Sequence, residues 1–368
     1  MKTALIFIDN SLHLHKTFIS YIRDQISQKT DHIDTIHFIK KADKDIISVL
    51  EFLISEHNNI FLITQSEFSF VSKMIATICR DALVLKKGLL IPMKSTKFTN
   101  ESFLIKKGKT DINVLHVDPF KDIPAFWVQT ELKSLYFYLF EAKEQRRIES
   151  FIKQLEMHYE KAELVKGLFF YKTHGIHQSQ KESLERMIAL YLPKSILIGE
   201  DLSKIITQRL IDENKTISCA ESCTGGMLSS EIVKNSGVSA IFKGSVVTYA
   251  NQIKEELVNV KESTLKRYGA VSSACVKEML EGVTQKFDAD FSMAVSGVAG
   301  PTGGTVQKPV GTVYVGAKSR GFDIKVQKLS LKGDRTYIRQ QSVIWALKLL
   351  VESNFEFFFK KTPKTLDK

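Results

Sequence analysis

The sequence is poor in the residues that staple or punctuate chains. Of 368 residues only four are cysteine, seven proline and two tryptophan. The thiols, at 79, 219, 223 and 275, are too few for a secreted disulfide framework. Cys219 and Cys223 stand close enough to share a metal, but no second Cys or His pair accompanies them, so reduced cytosolic thiols and no metal are expected. No apolar run approaches the ~20 residues that cross a bilayer, and no membrane partner is expected. The N-terminal MKTALIFIDN begins like a secretion signal, but Asp9 and Asn10 interrupt it, so a buried first strand over residues 3–8 of a cytoplasmic protein is expected. Histidine leaves the most informative gap. All nine lie at or before position 177, so chemistry in the C-terminal half has no local Ser-His-Asp triad to draw on.

What is present describes a folded protein of two or three domains: 43% hydrophobic, 25% charged, with net charge +11. The basic residues are scattered among acidic ones along most helical stretches. Only the terminal KKTPKTLDK is a compact basic run, and a solvated tail explains it. The charge suits anionic nucleotides as well as nucleic acid, and nucleic acid is not an expected partner.

The first third alternates strand and helix. Strands are predicted over 3–8, 32–39 and 59–64, with helical spacing over 12–26, 46–54 and 68–80. Alternation of this kind predicts a parallel sheet flanked by helices. Its ligand crevice would lie at the strand ends, near 8–10 and 64–67. Asp9, Asn10, Glu67 and Asp118 could line such a site, though surface and capping roles serve equally. The stretch 133–159 reads as a charged helix, 166–171 as a short strand and 180–192 as a helix stopped by Pro193. These compose a small α+β module. A further α/β domain follows, with strands over 215–219, 245–250 and 291–296, a hairpin over 311–331 and a closing helix over 335–352.

Four segments of this last domain could carry chemistry. In AESCTGG, residues 220–226, Ser222 lies between a strand and a helix. First-turn N–H groups there would face a phosphate or an oxyanion, and Gly225 and Gly226 would let the main chain approach a ligand. Ser222 or Thr224 would also serve simply as the helix N-cap. In VVTYANQIK, Tyr249 and Lys254 could move protons for a serine nucleophile, or be an ordinary aromatic and a solvated lysine. SGVAGPTGGTVQKPVGT, residues 296–312, is a fixed glycine-rich loop suited to binding through backbone amides, with Lys308 as a cation. Finally GDR places Arg335 and, one turn on, Arg339 where they could hold a phosphate, or merely open a helix capped by Asp334.

Together with YGAVS, these blocks resemble, in order, the C-terminal domain of the CinA family, competence/damage-inducible proteins that include nicotinamide-nucleotide amidohydrolases. The resemblance covers about residues 200–350. It implies hydrolysis of the carboxamide of nicotinamide mononucleotide to nicotinate mononucleotide and ammonia, without a cofactor. Ser222 would attack, and Tyr249 and Lys254 would move protons. Glu221, Thr224, Gly225, Gly226, Gly300, Gly303, Gly304, Lys308, Arg335 and Arg339 would hold the nucleotide. Which of Tyr249 and Lys254 is the base stays open. The front half resembles a degenerate form of the family's molybdopterin-binding-type, Rossmann-like domain. Gln65, Ser66 and Phe68 stand where that domain carries glycines, so its pyrophosphatase activity is not expected. The resulting scheme is a degenerate domain over 1–125, a linking module over 126–197 and an amidohydrolase domain over 198–360. The family suggests a homodimer. The alternative function is a non-enzymatic nucleotide-binding or regulatory protein linked to competence or DNA damage.

Overall fold

The computed structural model describes residues 2–9, 11–30, 32–128 and 134–359. Its chain divides into two compact units. One runs to Ser134 and takes in His174–Gln178; the other comprises Leu135–Thr173 and the chain from Ser179 onward. Both are α/β, the class that the alternating pattern predicts. Among the described residues no helix is long and apolar enough to cross a membrane.

The first unit runs β1 (Thr3–Ile8), α1 (Lys16–Ser27), β2 (Thr35–Ile39), α2 (Ile46–Glu56), β3 (Asn59–Thr64) and α3 (Phe68–Ile78). The strands β4 (Leu83–Lys86), β5 (Leu89–Pro92), β6 (Lys97–Phe98), β7 (Ser102–Lys107) and β8 (Thr110–His116) follow. Six strands form one sheet in the order β2-β1-β3-β8-β7-β6, and β4 and β5 make a separate hairpin. The first four are parallel, whereas β7 and β6 turn antiparallel. Strands β1 and β3 read as unbroken apolar runs because both faces are covered. Ala4, Ile6 and Ile8 pack with Leu50, Val71 and Ile75 on one face. Leu5 and Phe7 pack with Ile22 and Ile26 on the other. Each leucine, isoleucine, valine or phenylalanine among them contributes roughly 1.5–3 kcal/mol by leaving water.

The second unit begins with β9 (Tyr136–Leu139), α4 (Gln145–Gln154), β10 (His158–Val165), β11 (Leu168–His174), α5 (Gln178–Tyr191) and β12 (Ile196–Ile198). Its four strands form a sheet ordered β10-β11-β9-β12. The single helix expected over 133–159 is therefore corrected to strand, helix, strand; residue 133 itself lies outside the described residues. The aromatic Tyr136–Leu139 segment pairs antiparallel with β11 and with β12, so cross-strand partners override its charged, helix-favouring flanks.

The rest of this unit is α6 (Leu202–Asp212), β13 (Ile217–Glu221), α7 (Met227–Val233), β14 (Phe242–Val247), α8 (Asn251–Val258), α9 (Glu262–Tyr268) and α10 (Ser273–Phe287). After them come β15 (Phe291–Gly297), β16 (Thr312–Ser319), β17 (Lys325–Ser330), α11 (Arg335–Ser353) and α12 (Phe355–Phe359). The sheet order is β14-β13-β15-β16-β17. Strand alternation sends Cys219, Met293 and Val295 toward α6, α7 and α11. Ala220, Val246 and Ala294 face the side covered by α8, α9 and α10. Helices α8 and α10 touch so closely that a Cβ on Gly282 would lie 1.9 Å from the Val258 carbonyl oxygen. Because β13, β14 and β15 are parallel, the loops leaving all three gather at one edge of the sheet.

Candidate active site

Ser222 immediately follows β13, the central strand of those three. Its N–H donates to the Val295 carbonyl at 2.9 Å and ties it to the end of β15. The preceding residue, Glu221, is fully buried. Its carboxylate accepts the N–H groups of Gly226 (3.0 Å), Leu228 (3.0 Å) and Ser229 (2.9 Å). It also accepts the Ser229 hydroxyl. Three N–H groups at the start of α7 are thus satisfied by an internal anion, which also suits the helix dipole. This corrects the expectation that the first-turn N–H groups face a ligand, and it relieves Ser222 and Thr224 of any capping role. The N-cap position is Gly226, whose φ of 92° is left-handed, as is that of Gly225 at 57°. Both turns suit glycine, and they swing the chain from Ser222 into α7.

Lys254, on α8, is 1% exposed and Ser222 9%. The Lys254 Nζ lies 3.2 Å from Ser222 Oγ, 2.6 Å from the Thr248 carbonyl oxygen and 3.2 Å from that of Tyr249. Burial pushes the lysine below its ordinary pKa, and its titratable neighbours are the thiols of Cys275 and Cys223. Those thiols are themselves pushed up by burial, to about 11 and about 12, and stay protonated at neutral pH. Among the described residues no carboxylate pairs with Lys254. Thr248 is held in turn by its N–H donating to the Glu221 carbonyl at 2.7 Å.

Arg335 reaches from the start of α11 to the loops after β14 and β15. It donates through Nη1 to the Gly300 carbonyl at 2.7 Å and through Nη2 to the Tyr249 hydroxyl at 3.0 Å. Arg339 Nη2 donates to the Thr224 carbonyl at 2.6 Å, and a Cβ on Gly225 would lie 3.6 Å from the same nitrogen. The Arg339 Nε and the Thr224 hydroxyl are buried without hydrogen-bond partners. Ser222, Tyr249, Lys254, Thr224, Gly225, Gly300, Arg335 and Arg339 therefore form one connected neighbourhood. Gly303, Gly304 and Lys308 instead fold the glycine-rich loop onto its surroundings. Gly303 and Gly304 lie against Val298 and Val310, and Lys308 Nζ donates to the Tyr268 carbonyl at 2.6 Å. Thr248 was not singled out within VVTYANQIK, nor Ser296 at the head of the glycine-rich segment. Ser296 is fully buried and donates its hydroxyl to the Ala270 carbonyl at 2.8 Å. Thr248 acts through its carbonyl, which leaves no side-chain signal.

In the first unit the expected crevice is filled from within. The Asp9 carboxylate accepts the N–H and hydroxyl of Ser11 (2.9 and 3.0 Å), the N–H of Gln65 (3.2 Å) and the N–H and hydroxyl of Ser66 (both 3.0 Å). Burial alone would raise its pKa, but these donors hold it down at about 2. Glu67 pairs with Lys41 at 2.8 Å, and Asp118 accepts the Phe120 N–H at 3.0 Å. Asn10 lies outside the described residues. Among the described residues no cluster of His, Cys, Asp and Glu is suited to a metal ion, and all four cysteines are free.

The CinA C-terminal domain family model matches residues 199–353, which contain every residue of the Ser222 neighbourhood. Through this domain the chain belongs to the CinA family. A CinA-like protein of Thermosipho melanesiensis is 42% identical over 177 residues, 46% of this chain and 44% of that protein. A CinA-like protein of Dictyoglomus turgidum is 44% identical over 179 residues, covering 46% and 43% respectively. The matched region thus spans less than half of each relative. A solved competence/damage-inducible protein from Agrobacterium tumefaciens is 34% identical, with 42% of this chain and 97% of that one covered and a TM-score of 0.40. The CinA domain accordingly accounts for the C-terminal part of the second unit.

Proposed function

We propose that the CinA domain hydrolyses the carboxamide of nicotinamide mononucleotide, with Ser222 as nucleophile and Lys254 as its base. The observation that carries this reading is the environment of the Lys254 amine. A neutral amine has two N–H bonds and one lone pair. With the carbonyls of Thr248 and Tyr249 accepting the two N–H bonds, the lone pair is left for the Ser222 hydroxyl 3.2 Å away. Burial without a carboxylate partner favours that neutral form. A lysine so placed can replace the missing histidine. Tyr249 is disfavoured as the base, because its hydroxyl already accepts a hydrogen bond from a guanidinium.

In this mechanism Ser222 Oγ attacks the amide carbon while its proton passes to Lys254. With Glu221 occupying the start of α7, the N–H groups of Cys223 and Thr224 are the nearest donors beyond Ser222. Among the described residues the Thr224 N–H has no main-chain acceptor and would serve the tetrahedral oxyanion, whereas the Cys223 N–H faces its own thiol. The C–N bond breaks, Lys254 returns the proton to the departing ammonia, and water hydrolyses the resulting Ser222 ester. Arg335 and Arg339 would receive the phosphate, since planar guanidinium groups suit it. Incubating wild-type and Ser222→Ala protein with nicotinamide mononucleotide tests the reading. It predicts ammonia from the wild type alone. Release by both would remove Ser222 as nucleophile, and release by neither would favour a nucleotide-binding protein without turnover.

A further inference from the structure

The nucleophile of this domain is almost closed off, and a residue joining two loops beside it carries an unneutralised charge. Arg335 joins Tyr249, which follows β14 and receives Lys254, to Gly300, which follows β15 where Ser222 is tied; Ser222 is 9% and Lys254 1% exposed. Both acceptors are neutral. Among the described residues neither Arg335 nor Arg339 pairs with a carboxylate. The nearby Asp334 accepts the Tyr337 N–H at 2.8 Å, and the Glu221 carboxylate is consumed by α7. Arg339, one turn beyond Arg335, keeps a buried Nε without a partner beside an equally unpartnered Thr224 hydroxyl. Two guanidinium groups thus stand together with no internal anion to hold them.

A phosphate monoester offers a guanidinium two charge-assisted hydrogen bonds, each stronger than those it makes to a phenol and a peptide carbonyl. An anion reaching Arg335 would therefore take it from both present partners. We propose that Arg335 is a specificity-determining latch: it holds the Tyr249 and Gly300 loops together over Ser222, and the anionic group of the substrate releases it. This rests on the amidohydrolase reading and deepens it, because the amide then gains access to Ser222 only when the same molecule carries the anion. A simple phosphate contact would tighten binding; a latch also withholds the nucleophile from everything uncharged.

The test separates access from turnover. Ser222 is labelled with phenylmethanesulfonyl fluoride, an uncharged reagent, and the rate of sulfonylation is followed by mass spectrometry with and without saturating phosphite dianion. The same wild-type protein is assayed for ammonia from nicotinamide mononucleotide. Wild-type labelling should be slow and should accelerate at least about tenfold with phosphite, the scale of one charge-assisted hydrogen bond. Arg335→Ala should label fast without phosphite and not respond to it. Arg335→Lys retains the charge but cannot bridge both loops, so it should label faster than wild type; together with unchanged circular dichroism, it guards against a misfolded Ala variant. Equal labelling of wild type and both variants, with ammonia released, overturns the latch and leaves the amidohydrolase reading standing. No labelling of any form and no ammonia overturns both.

Discussion

The Lys254 amine and the Ser222 hydroxyl lie 3.2 Å apart, joined in a pocket of main-chain carbonyls rather than carboxylates. In the proposed mechanism that relationship makes the lysine's proton the switch for the nucleophile. Because burial lowers the Lys254 pKa, its charged form is disfavoured in the folded protein, and the neutral, active fraction grows as pH rises. A pH profile of kcat/KM for ammonia release should show a one-proton acid limb whose midpoint lies below the ordinary lysine value. Lys254→Met should lower kcat by about a thousandfold or more, consistent with loss of a general base and an activated nucleophile. A variant with unchanged turnover would remove Lys254 from the mechanism.

Glu221 supports Ser222 from behind. Its carboxylate serves three N–H groups and one hydroxyl with no exposed surface, and the side-chain amide of glutamine would turn a donor toward some of those donors. Glu221→Gln should destabilise the CinA domain by roughly 3 kcal/mol, the scale of buried charged groups losing their partners. It should also reduce kcat, since the displaced turn begins at Ser222. Denaturant unfolding monitored by Trp345, together with the ammonia assay, measures both effects.

Gly282 controls the distance of Lys254 from the sheet. A Cβ there would strike the Val258 carbonyl at the end of α8, the helix that carries Lys254. Gly282→Ala should push α8 outward, costing roughly 1–3 kcal/mol as overpacking does. Turnover should fall further than substrate affinity. Equal stability and turnover in the variant would show that the two helices can part without moving the amine.

Asp9 makes an acid-sensitive contribution in the first unit. Its pKa falls from 3.8 to about 2 on folding, so its stabilisation is complete above pH 4 and is lost as the pH drops through 2. The shift corresponds to about 2 kcal/mol. Asp9→Asn should therefore be less stable than the parent at pH 7 by about that amount, with the difference shrinking towards pH 2. Urea unfolding read from Trp127 in a Trp345→Phe background isolates this unit. A difference independent of pH would assign the loss to packing instead of charge.

The alternating strands and helices were legible where strands such as β1 and β3 carry an apolar run and helices an apolar stripe. Strands β4 to β8 and the aromatic strand β9 were not read from the sequence, since short strands take their stability from partners distant in the chain. The AESCTGG, VVTYANQIK and GDR segments likewise announced themselves through residue type and order. What local sequence could not express was which groups were already engaged.

Thus composition and order alone determined an α/β protein whose C-terminal domain lacks histidine and places a serine, a lysine and two arginines in recognisable segments. Only the tertiary structure decided that Glu221 turns inward to α7 and that the carbonyls of Thr248 and Tyr249 receive the Lys254 amine. It alone placed Arg335 across Tyr249 and Gly300, and Asp9 among the N–H groups of its own crevice. The reason is physical. Residue type sets what a group can donate or accept, whereas burial and the strand-end geometry determine which donor meets which acceptor, and hence which groups remain free to act.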